Sequence, residues 1–324
     1  MAGSVPSLAA GGEGLRPASQ DVLAQWQRHM QSLVAAGELA QATAGAYARG
    51  MQGFVAWCRE ESVERVTSVT VRRWKAEMLE EGLSPAGVNL RFAGVRAFYR
   101  WAVQERGLTA DPTAGVRGAS RRGASRTHKR EPLSDQEVLR LLEQPDGDTV
   151  QGKRDGAMLY LMVYTGVRTI EVQRATIGDL HANTHTKLAI QGKGHADADE
   201  VVYLVNADLL DALYAWLAVH PRGEDQSAPL FCGLGNRNRG GSLSGRALRG
   251  LIKGYMRQAG IRDPRKTAHS LRHTVVTNLV RHGVAPTQIM SVTRHRSLDT
   301  LLAYAHEVAR EEDPAEGYVE YGEG

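Results

Sequence analysis

Apolar residues recur at helical spacing along the first third of the chain, and this pattern predicts four amphipathic helices. The first three fall at about residues 20–37, at about 43–61, and from about residue 68 onward. The fourth begins at Ser84, because serine is a favoured N-cap residue and Pro85 suits the first position of a helix. We therefore expect an N-terminal helical domain over residues 20–115.

The pattern changes in the second half of the chain. The sequence Ser134-Asp-Gln-Glu137 is a capping box, which predicts the first helix of a second domain over residues 132–310. Most of this domain has helical periodicity, but KLAIQ (187–191) and VVYLV (201–205) have the apolar and β-branched character of paired strands. The fold class that we expect is mainly α, with a small β-sheet in the C-terminal domain.

Three segments outside these domains differ from them in composition. Residues 1–19 are rich in Gly, Ala, Ser and Pro and predict a flexible leader. Residues 116–131 form a basic linker that includes Arg121 and Arg122. We expect this linker to lie along DNA phosphates, although a simple disordered hinge would have a similar sequence. Residues 311–324 form a tail with six acidic residues and no basic one.

The net charge of +4 is therefore unevenly spread. Without the tail, the chain carries 40 Lys and Arg against 30 Asp and Glu (36 minus the tail's 6), a net charge of +10. A body this basic indicates a polyanionic partner such as double-stranded DNA.

Composition also bears on the cellular context of the protein. No run of about 18 apolar residues is present, so we expect no membrane span. The N-terminal residues lack the charged and apolar blocks of a signal peptide. The two cysteines, Cys58 and Cys232, do not make a disulfide framework and suit a reducing compartment. We expect a cytoplasmic protein, associated with the nucleoid in a prokaryote.

Two groups of residues are candidates for DNA contacts. In the fourth helix, Asn89, Arg96 and Arg100 share a flank beside the apolar stripe, where they could contact phosphates or base edges. An ordinary solvated face is the alternative. Residues 232–266 hold nine basic residues and one acidic residue, Asp263, which indicates a polyanion more strongly than the total charge does.

A His-x-x-Arg pair lies towards the end of the second domain. His269 and Arg272 are three residues apart on a predicted helix, so both side chains project from one face. The apolar residues of that helix lie on another side, so the pair need not point into the core. One alternative is a surface pair without a special role. Another is a zinc site formed by His269 and His273, but it lacks the glutamate of H-E-x-x-H and any clustered cysteines.

Tyr304 lies in an amphipathic segment, where a core or interface role would be ordinary. A phenol with its usual pKa near ~10 is a poor nucleophile unless cations surround it. The sequence offers Arg168 and Lys193 as such cations, in addition to the arginine of the His-x-x-Arg pair. Glu171, one turn after Arg168, would hold its guanidinium towards a phosphate, or the two would form a purely structural ion pair.

Taken together, these motifs resemble the tyrosine recombinase (phage integrase) family over nearly the whole chain. TGVR (165–168) resembles the family's first arginine box, and GKG (192–194) resembles its hairpin lysine. HSLRHT (269–274) resembles its H-x-x-R box, and His295 precedes Tyr304 by the family's nine residues. We expect a member of the simple two-domain type, either Xer-like or from a mobile element.

The resemblance implies a four-helix core-binding domain, a catalytic domain, and a reaction without a metal or other cofactor. In this reaction Tyr304 attacks a DNA phosphodiester and forms a 3′-phosphotyrosyl link, while Glu171 positions Arg168. The residues that the resemblance assigns to catalysis are Arg168, Lys193, His269, Arg272, His295 and Tyr304. It also implies a homotetramer that joins two DNA sites through a Holliday junction, in integration, excision or resolution.

The chain departs from the family pattern at three places. Thr293-Arg294 stands where Leu-Gly usually precedes the second histidine, and Ile170 stands where serine is common. The hairpin turn continues as HADADE and not with further basic residues, so His195 is an alternative to Lys193. Two other functions remain open, namely a DNA-binding protein of this fold with little cleavage activity and a type IB topoisomerase.

Overall fold

The computed structural model describes residues 18–120, 131–180, 186–191 and 200–294, together with residues 298, 301, 302, 304, 306, 308 and 314. These residues are mainly helical, and they include one two-stranded sheet. The expected fold class is therefore confirmed. The chain divides into two compact units between residues 124 and 125.

The described part of the N-terminal unit contains the four helices α1 (Gln20–Ala35), α2 (Gln41–Glu60), α3 (Ser68–Glu80) and α4 (Pro85–Arg106). Side-chain caps begin three of them. Ser19, Thr67 and Ser84 each accept a hydrogen bond from a backbone N–H of the first turn, as serine and threonine commonly do at this position.

The core of this unit is rich in aromatic side chains. Trp26, Phe54 and Phe98 are buried, and the ring of Trp26 packs edge-on against Phe98 with 5.6 Å between centroids. Helices α2 and α4 pack closely because glycine lies where they meet. A Cβ atom on Gly94 would lie only 2.3 Å from the carbonyl oxygen of Tyr47.

The C-terminal unit carries seven of the described helices. They are α5 (Asp135–Leu142), α6 (Val150–Thr165), α7 (Thr169–Arg174), α8 (Ala207–Leu217), α9 (Gly245–Gln258), α10 (Ala268–Arg281) and α11 (Pro286–Thr293). The capping box predicted at Ser134 and Glu137 begins α5. Strands β1 (Lys187–Ile190) and β2 (Glu200–Tyr203) pair in antiparallel register, which confirms the predicted hairpin.

Helix α6 lies at the centre of this unit. Its residues Met158, Leu159 and Leu161 are completely buried. The core around them draws apolar residues from the other elements, including Leu141, Val172, Leu188, Val202, Leu209, Leu248 and Leu271. This packing fixes the C-terminal end of α6, where the chain turns into α7.

A second, smaller cluster brings the end of the chain against α10. It joins Val276 of α10 and Ile289 of α11 to Leu301 and Tyr304. Leu301 and Tyr304 are both helical and both buried. The predicted nucleophile is therefore anchored beside the helix that carries the His-x-x-Arg pair.

Two observations bear on the expected cellular context. Cys58 and Cys232 are both buried free thiols, and burial raises the pKa of Cys58 to about 12 despite the nearby charge of Arg73. In the part of the chain that the structure describes, no helix is both long enough and apolar enough to cross a membrane.

Candidate active site

The turn between α6 and α7 forms the first part of the site. Gly166 ends α6 in the left-handed conformation (φ 62°), which glycine adopts without steric cost. Arg168 follows directly before α7. Its backbone N–H and its Nη1 donate to the two carboxylate oxygens of Glu171 at 2.7 and 2.8 Å. Because the Glu171 side chain is 0% exposed, this carboxylate holds Arg168 in one orientation.

Glu171 is ionised although it is buried. Burial by itself would raise the pKa of the carboxyl group, but the charge of Arg294 and the hydrogen bonds and charge of Arg168 outweigh this effect. Together they hold the pKa of Glu171 below its ordinary value. The site therefore contains a fixed negative charge between two guanidinium groups.

Arg272 lies deeper than its neighbours. Its side chain extends from α10 to the same turn, where Nη1 donates to the carbonyl oxygen of Gly166 at 2.7 Å. The residue is 2% exposed, and its buried Nη2 has no hydrogen-bond partner among the described residues. Burial, and then the charges of Arg168 and Arg294, lower the pKa of Arg272 to about 9. A buried guanidinium in this position favours an anion beside it.

The two members of the His-x-x-Arg pair differ in burial. The sequence allowed both to lie away from the core, but only His269 is exposed and Arg272 is buried. The physical reason is that α10 packs against α6, α9 and α11, so it is buried on more than one side. An apolar stripe indicates one buried face of a helix, but it does not exclude a second one.

Tyr304 contacts a histidine that the sequence had suggested only as a zinc ligand. The hydroxyl of Tyr304 shares a hydrogen bond with Nε2 of His273 at 3.3 Å, and the two ring centroids are 5.0 Å apart. The ring of His273 also meets that of His269 edge-on at 5.4 Å. The three rings form a row, in which His273 lies between Tyr304 and His269.

The charge of Tyr304 also couples to the arginines. An ionised Tyr304 acts to raise the pKa of Arg272, opposing the larger effect of burial. The two side chains are therefore close enough for their charges to interact. The arrangement places the phenol of Tyr304 beside an imidazole and close to a buried guanidinium.

The zinc alternative finds no third ligand among the described residues. This alternative uses His269 and His273 as two of its ligands. Among the described residues, no group of three or more His, Cys, Asp or Glu side chains is placed to hold a metal ion.

Arg294 completes the described part of the site. It ends α11 in the left-handed conformation (φ 54°, ψ 42°), and its side chain is 6% exposed. Its Nη2 donates to Glu171 Oε2 at 2.6 Å, while its backbone carbonyl accepts a hydrogen bond from Arg168 Nη2 at 3.3 Å. Its Nε lies 3.4 Å from a carboxylate oxygen of Glu200, close enough for an ion pair although the geometry is not that of a hydrogen bond.

Comparison with known protein families agrees with this geometry. A model described as "Phage integrase family" matches residues 131–311, more than half of the chain. The chain belongs to the phage integrase family of tyrosine recombinases. A second model, described as "Phage integrase, N-terminal SAM-like domain", matches residues 23–106. The resemblance inferred from the motifs is confirmed.

Individual relatives and structures give the same result. Tyrosine recombinase XerD of Ralstonia nicotianae is 29% identical, with 92% of each chain covered. Tyrosine recombinase XerC of Actinobacillus pleuropneumoniae is 26% identical over 90% of this chain and 85% of its own. Two solved structures share the fold. XerH bound to its palindromic difH substrate, in a post-cleavage complex, has a TM-score of 0.67 at 20% identity, covering 85% of this chain and 79% of that one. A lambda integrase tetramer bound to a Holliday junction has a TM-score of 0.63 at 16% identity, covering 90% and 79%.

Several predicted residues of this integrase-family protein lie outside the described residues. They are Arg121, Arg122, Lys193 and His295, together with the alternative His195. Their roles stay predictions.

On the predicted DNA-binding flank of α4, two side chains form hydrogen bonds with the backbone of the segment that follows the helix. The side-chain amide of Asn89 exchanges hydrogen bonds of 2.6 and 3.1 Å with the backbone of Ala119, and Arg96 Nη2 donates to the carbonyl of Val116 at 2.6 Å. Arg100 is exposed. Two of the three side chains thus fix the beginning of the predicted linker, and DNA contacts of all three stay a prediction.

Helix α9 presents a basic face that suits an integrase. Its basic residues recur at helical spacing on a side adjacent to the buried Leu248, Ile252 and Met256. These basic residues are Arg246, Arg249, Lys253 and Arg257. The excess of positive charge found in residues 232–266 is therefore concentrated, in part, along one side of a helix.

Proposed function

We propose that this protein is a site-specific DNA recombinase that cuts and rejoins DNA strands with Tyr304 as its nucleophile. The observation that carries the proposal is the buried guanidinium of Arg272. It lies near the charge of Arg168, and its charge interacts with that of an ionised Tyr304. Two guanidinium groups at one site, each with several N–H donors, favour an anion with several oxygens, such as a phosphodiester.

The proposed reaction needs no external energy source. The phenol oxygen of Tyr304 attacks phosphorus, the bond from phosphorus to the 5′ oxygen breaks, and a 3′-phosphotyrosyl link remains. The phenol loses its proton and the leaving 5′ oxygen gains one. Since the new link is itself a phosphodiester, the 5′-hydroxyl of a partner strand reverses the step without ATP.

The side chains have separate roles in this scheme. Arg168 and Arg272 bind the non-bridging oxygens and stabilise the charge that develops in the transition state. Glu171 positions Arg168. His269 takes part in transfer of the phenol proton, and His273, which shares a hydrogen bond with the phenol, links the two.

Two further residues complete the proposed chemistry. Lys193 protonates the leaving oxygen, and His295 hydrogen-bonds the scissile phosphate. Both assignments rest on the motifs of the family and not on observed contacts.

We also propose that the protein acts as a homotetramer on two double-stranded DNA sites, in the cytoplasm of a bacterium. The lambda integrase tetramer on a Holliday junction supports the assembly, and the bacterial origin of the XerC and XerD relatives supports the location. The basic face of α9 supports contact with the DNA backbone.

A suicide substrate tests the proposed function. DNA fragments that the protein retains are first selected, and a duplex carrying the selected site is nicked near the cleavage position so that the released fragment diffuses away. We expect the wild type to form a protein–DNA adduct that survives denaturant and carries a 3′ linkage. EDTA should leave its formation unchanged.

Two tyrosine variants provide the control. Tyr304→Phe should bind the duplex and form no adduct, whereas Tyr203→Phe, which alters an exposed tyrosine of β2, should react like the wild type. An adduct with Tyr304→Phe would refute the assignment of the nucleophile. Tight binding by the wild type without any adduct would instead indicate a DNA-binding protein that does not cleave.

A further inference from the structure

Arg294 has a backbone conformation that its side chain does not favour. A left-handed residue after a helix is usually glycine, because a Cβ atom crowds the backbone there. Among the described residues, only Ser62 and Arg294 adopt a positive φ without being glycine. Ser62 is exposed in a turn, whereas the side chain of Arg294 is only 6% exposed. An unfavourable backbone at a residue whose charged side chain is enclosed indicates that its contacts maintain it.

Those contacts include both members of the Arg168–Glu171 pair, in addition to the Glu200 carboxylate 3.4 Å from Nε. The side chain of Arg294 reaches Glu171, and its backbone carbonyl accepts a hydrogen bond from Arg168. Nη1 donates to the carbonyl oxygen of Val292 at 2.9 Å, which holds the guanidinium in place. One residue therefore contacts both members of the Arg168–Glu171 pair from the opposite side of the site.

The shared carboxylate changes the charge available for DNA. If Glu171 paired with Arg168 alone, the two charges would cancel and Arg168 would attract a phosphate less strongly. Arg294 occupies the Oε2 side of Glu171, at 2.6 Å, while Arg168 Nη1 occupies Oε1, at 2.8 Å. With the Glu200 carboxylate, 3.4 Å from Arg294 Nε, included in the count, Arg168, Arg272 and Arg294 exceed Glu171 and Glu200 by one positive charge.

We propose that Arg294 is a positioning residue for strand cleavage, which holds Glu171 and Arg168 in place and leaves Arg168 charged towards the scissile phosphate. The inference rests on the proposed function, since it concerns the same reaction. Arg294 itself need not touch the DNA. This role differs from that of a residue that only ends the helix, because glycine would end the helix better than arginine does.

Arg294→Gly separates these roles. Glycine suits the left-handed backbone, so the end of the helix would be kept or stabilised. The guanidinium that contacts Glu171 is lost. We expect adduct formation at saturating protein to slow by roughly tenfold to a hundredfold, the size of effect that a small misplacement of catalytic groups produces. The matched control is Ser62→Gly, which also replaces a left-handed residue and should react at the wild-type rate.

Chemical rescue identifies the missing group. Methylguanidinium, at a concentration that does not unfold the wild type, should accelerate Arg294→Gly and leave both the wild type and Ser62→Gly unchanged. Arg294→Lys, which keeps the charge but not the fork, should remain slow. It also serves as the test variant if Arg294→Gly does not fold.

The outcomes separate this inference from the proposed function. Wild-type cleavage together with a wild-type rate for Arg294→Gly overturns the role of Arg294 and leaves the recombinase assignment intact. A slow Arg294→Gly that methylguanidinium does not accelerate also overturns it. No adduct with the wild type itself overturns the proposed function, and this inference with it.

Discussion

Replacing Glu171 with glutamine removes the one negative charge from the centre of the arginine cluster and keeps the shape of the side chain. The pair of Arg294 and Glu171 is almost completely enclosed, with side chains 6% and 0% exposed. Removing one partner of such a buried pair costs about 3–5 kcal/mol, because the buried guanidinium loses its close carboxylate and keeps only the longer, part-exposed contact with Glu200. Arg168 is 28% exposed, so water screens it and its share is smaller.

A thermal melt measures this loss. In a unit of this size, about 1 kcal/mol shifts the melting temperature by roughly 2–4 °C, so Glu171→Gln should melt about 6–20 °C below the wild type at pH 7. Sulfate, compared with chloride at equal ionic strength, should stabilise the variant more than the wild type. The reason is that Arg168 and Arg294 lose the carboxylate that they share, and the Glu200 carboxylate beside Arg294 Nε is the acidic partner that stays.

The pH dependence gives an independent check with a defined sign. Contacts with Arg294 and Arg168 hold the pKa of Glu171 below its ordinary value, although burial alone would raise it. The stability that its charge provides is complete above the ordinary glutamate pKa of about 4.3 and is lost as the pH falls through the lower pKa of the folded state. The difference in melting temperature between the wild type and Glu171→Gln should therefore shrink in acid.

The control for this prediction is an exposed ion pair in the same unit. Glu131 lies 2.8 Å from Arg265, but their side chains are 36% and 59% exposed. Glu131→Gln should therefore leave the melting temperature almost unchanged. If Glu171→Gln melts with the wild type at pH 7, then Glu171 is not an ionised anchor, and the account of how Arg168 is held is wrong.

Two further predictions concern packing and DNA affinity. Gly94→Ala should destabilise the N-terminal unit by about 1–3 kcal/mol, because its Cβ would meet the Tyr47 carbonyl. Gly53→Ala, in helix α2 with no atom within 4 Å of the new Cβ, should stabilise the same unit. Denaturant titration followed by tryptophan fluorescence measures the free energy of unfolding of both variants. Equal effects of the two substitutions would contradict the close contact between Gly94 and the Tyr47 carbonyl. Arg257→Ala should lower the slope of log affinity against log salt by about one. Fluorescence anisotropy measures this slope, and an unchanged value would remove Arg257 from the DNA-contacting face.

Local signals in the sequence account for most of the fold. The periodicity of the first third predicted four helices, and the serines at 84 and 134 cap α4 and α5 as expected. The hairpin followed from two short apolar segments, and β1 pairs with β2. Each of these features depends on residues close together in the chain, so the sequence carries the information directly.

The contacts within the site depend on packing that no local pattern contains. Arg272 is buried because other helices surround α10, and a single apolar stripe does not show how many neighbours a helix has. His273 contacts Tyr304 across 31 positions of sequence. The i and i+4 spacing from His269 was a signal that His273 shares its side of the helix, but spacing alone did not indicate a phenol as its partner.

Arg294 shows where a departure from a sequence pattern was informative. Its position before His295 marked it as unusual, but its contacts with Glu171 and Arg168 lie 123 and 126 positions away in sequence. The tertiary fold alone brings these groups together. An arginine at a position that ordinarily favours glycine therefore marked an unusual residue, although the sequence could not indicate its partners.

The same contacts set both the stability of the site and its affinity for a phosphate. Before DNA binds, the guanidiniums of Arg168, Arg272 and Arg294 are held by Glu171 and by the carbonyls of Gly166, Val292 and Arg294. A phosphate entering the proposed site need not break any of these bonds, and it would supply the partner that Nη2 of Arg272 lacks among the described residues. The cations are thus positioned before the reaction, which avoids the cost of reorganising them as charge develops. DNA binding should accordingly stabilise the C-terminal unit. An added negative charge at this site would relieve the repulsion among the arginines, but it would also repel the phosphate and weaken DNA binding.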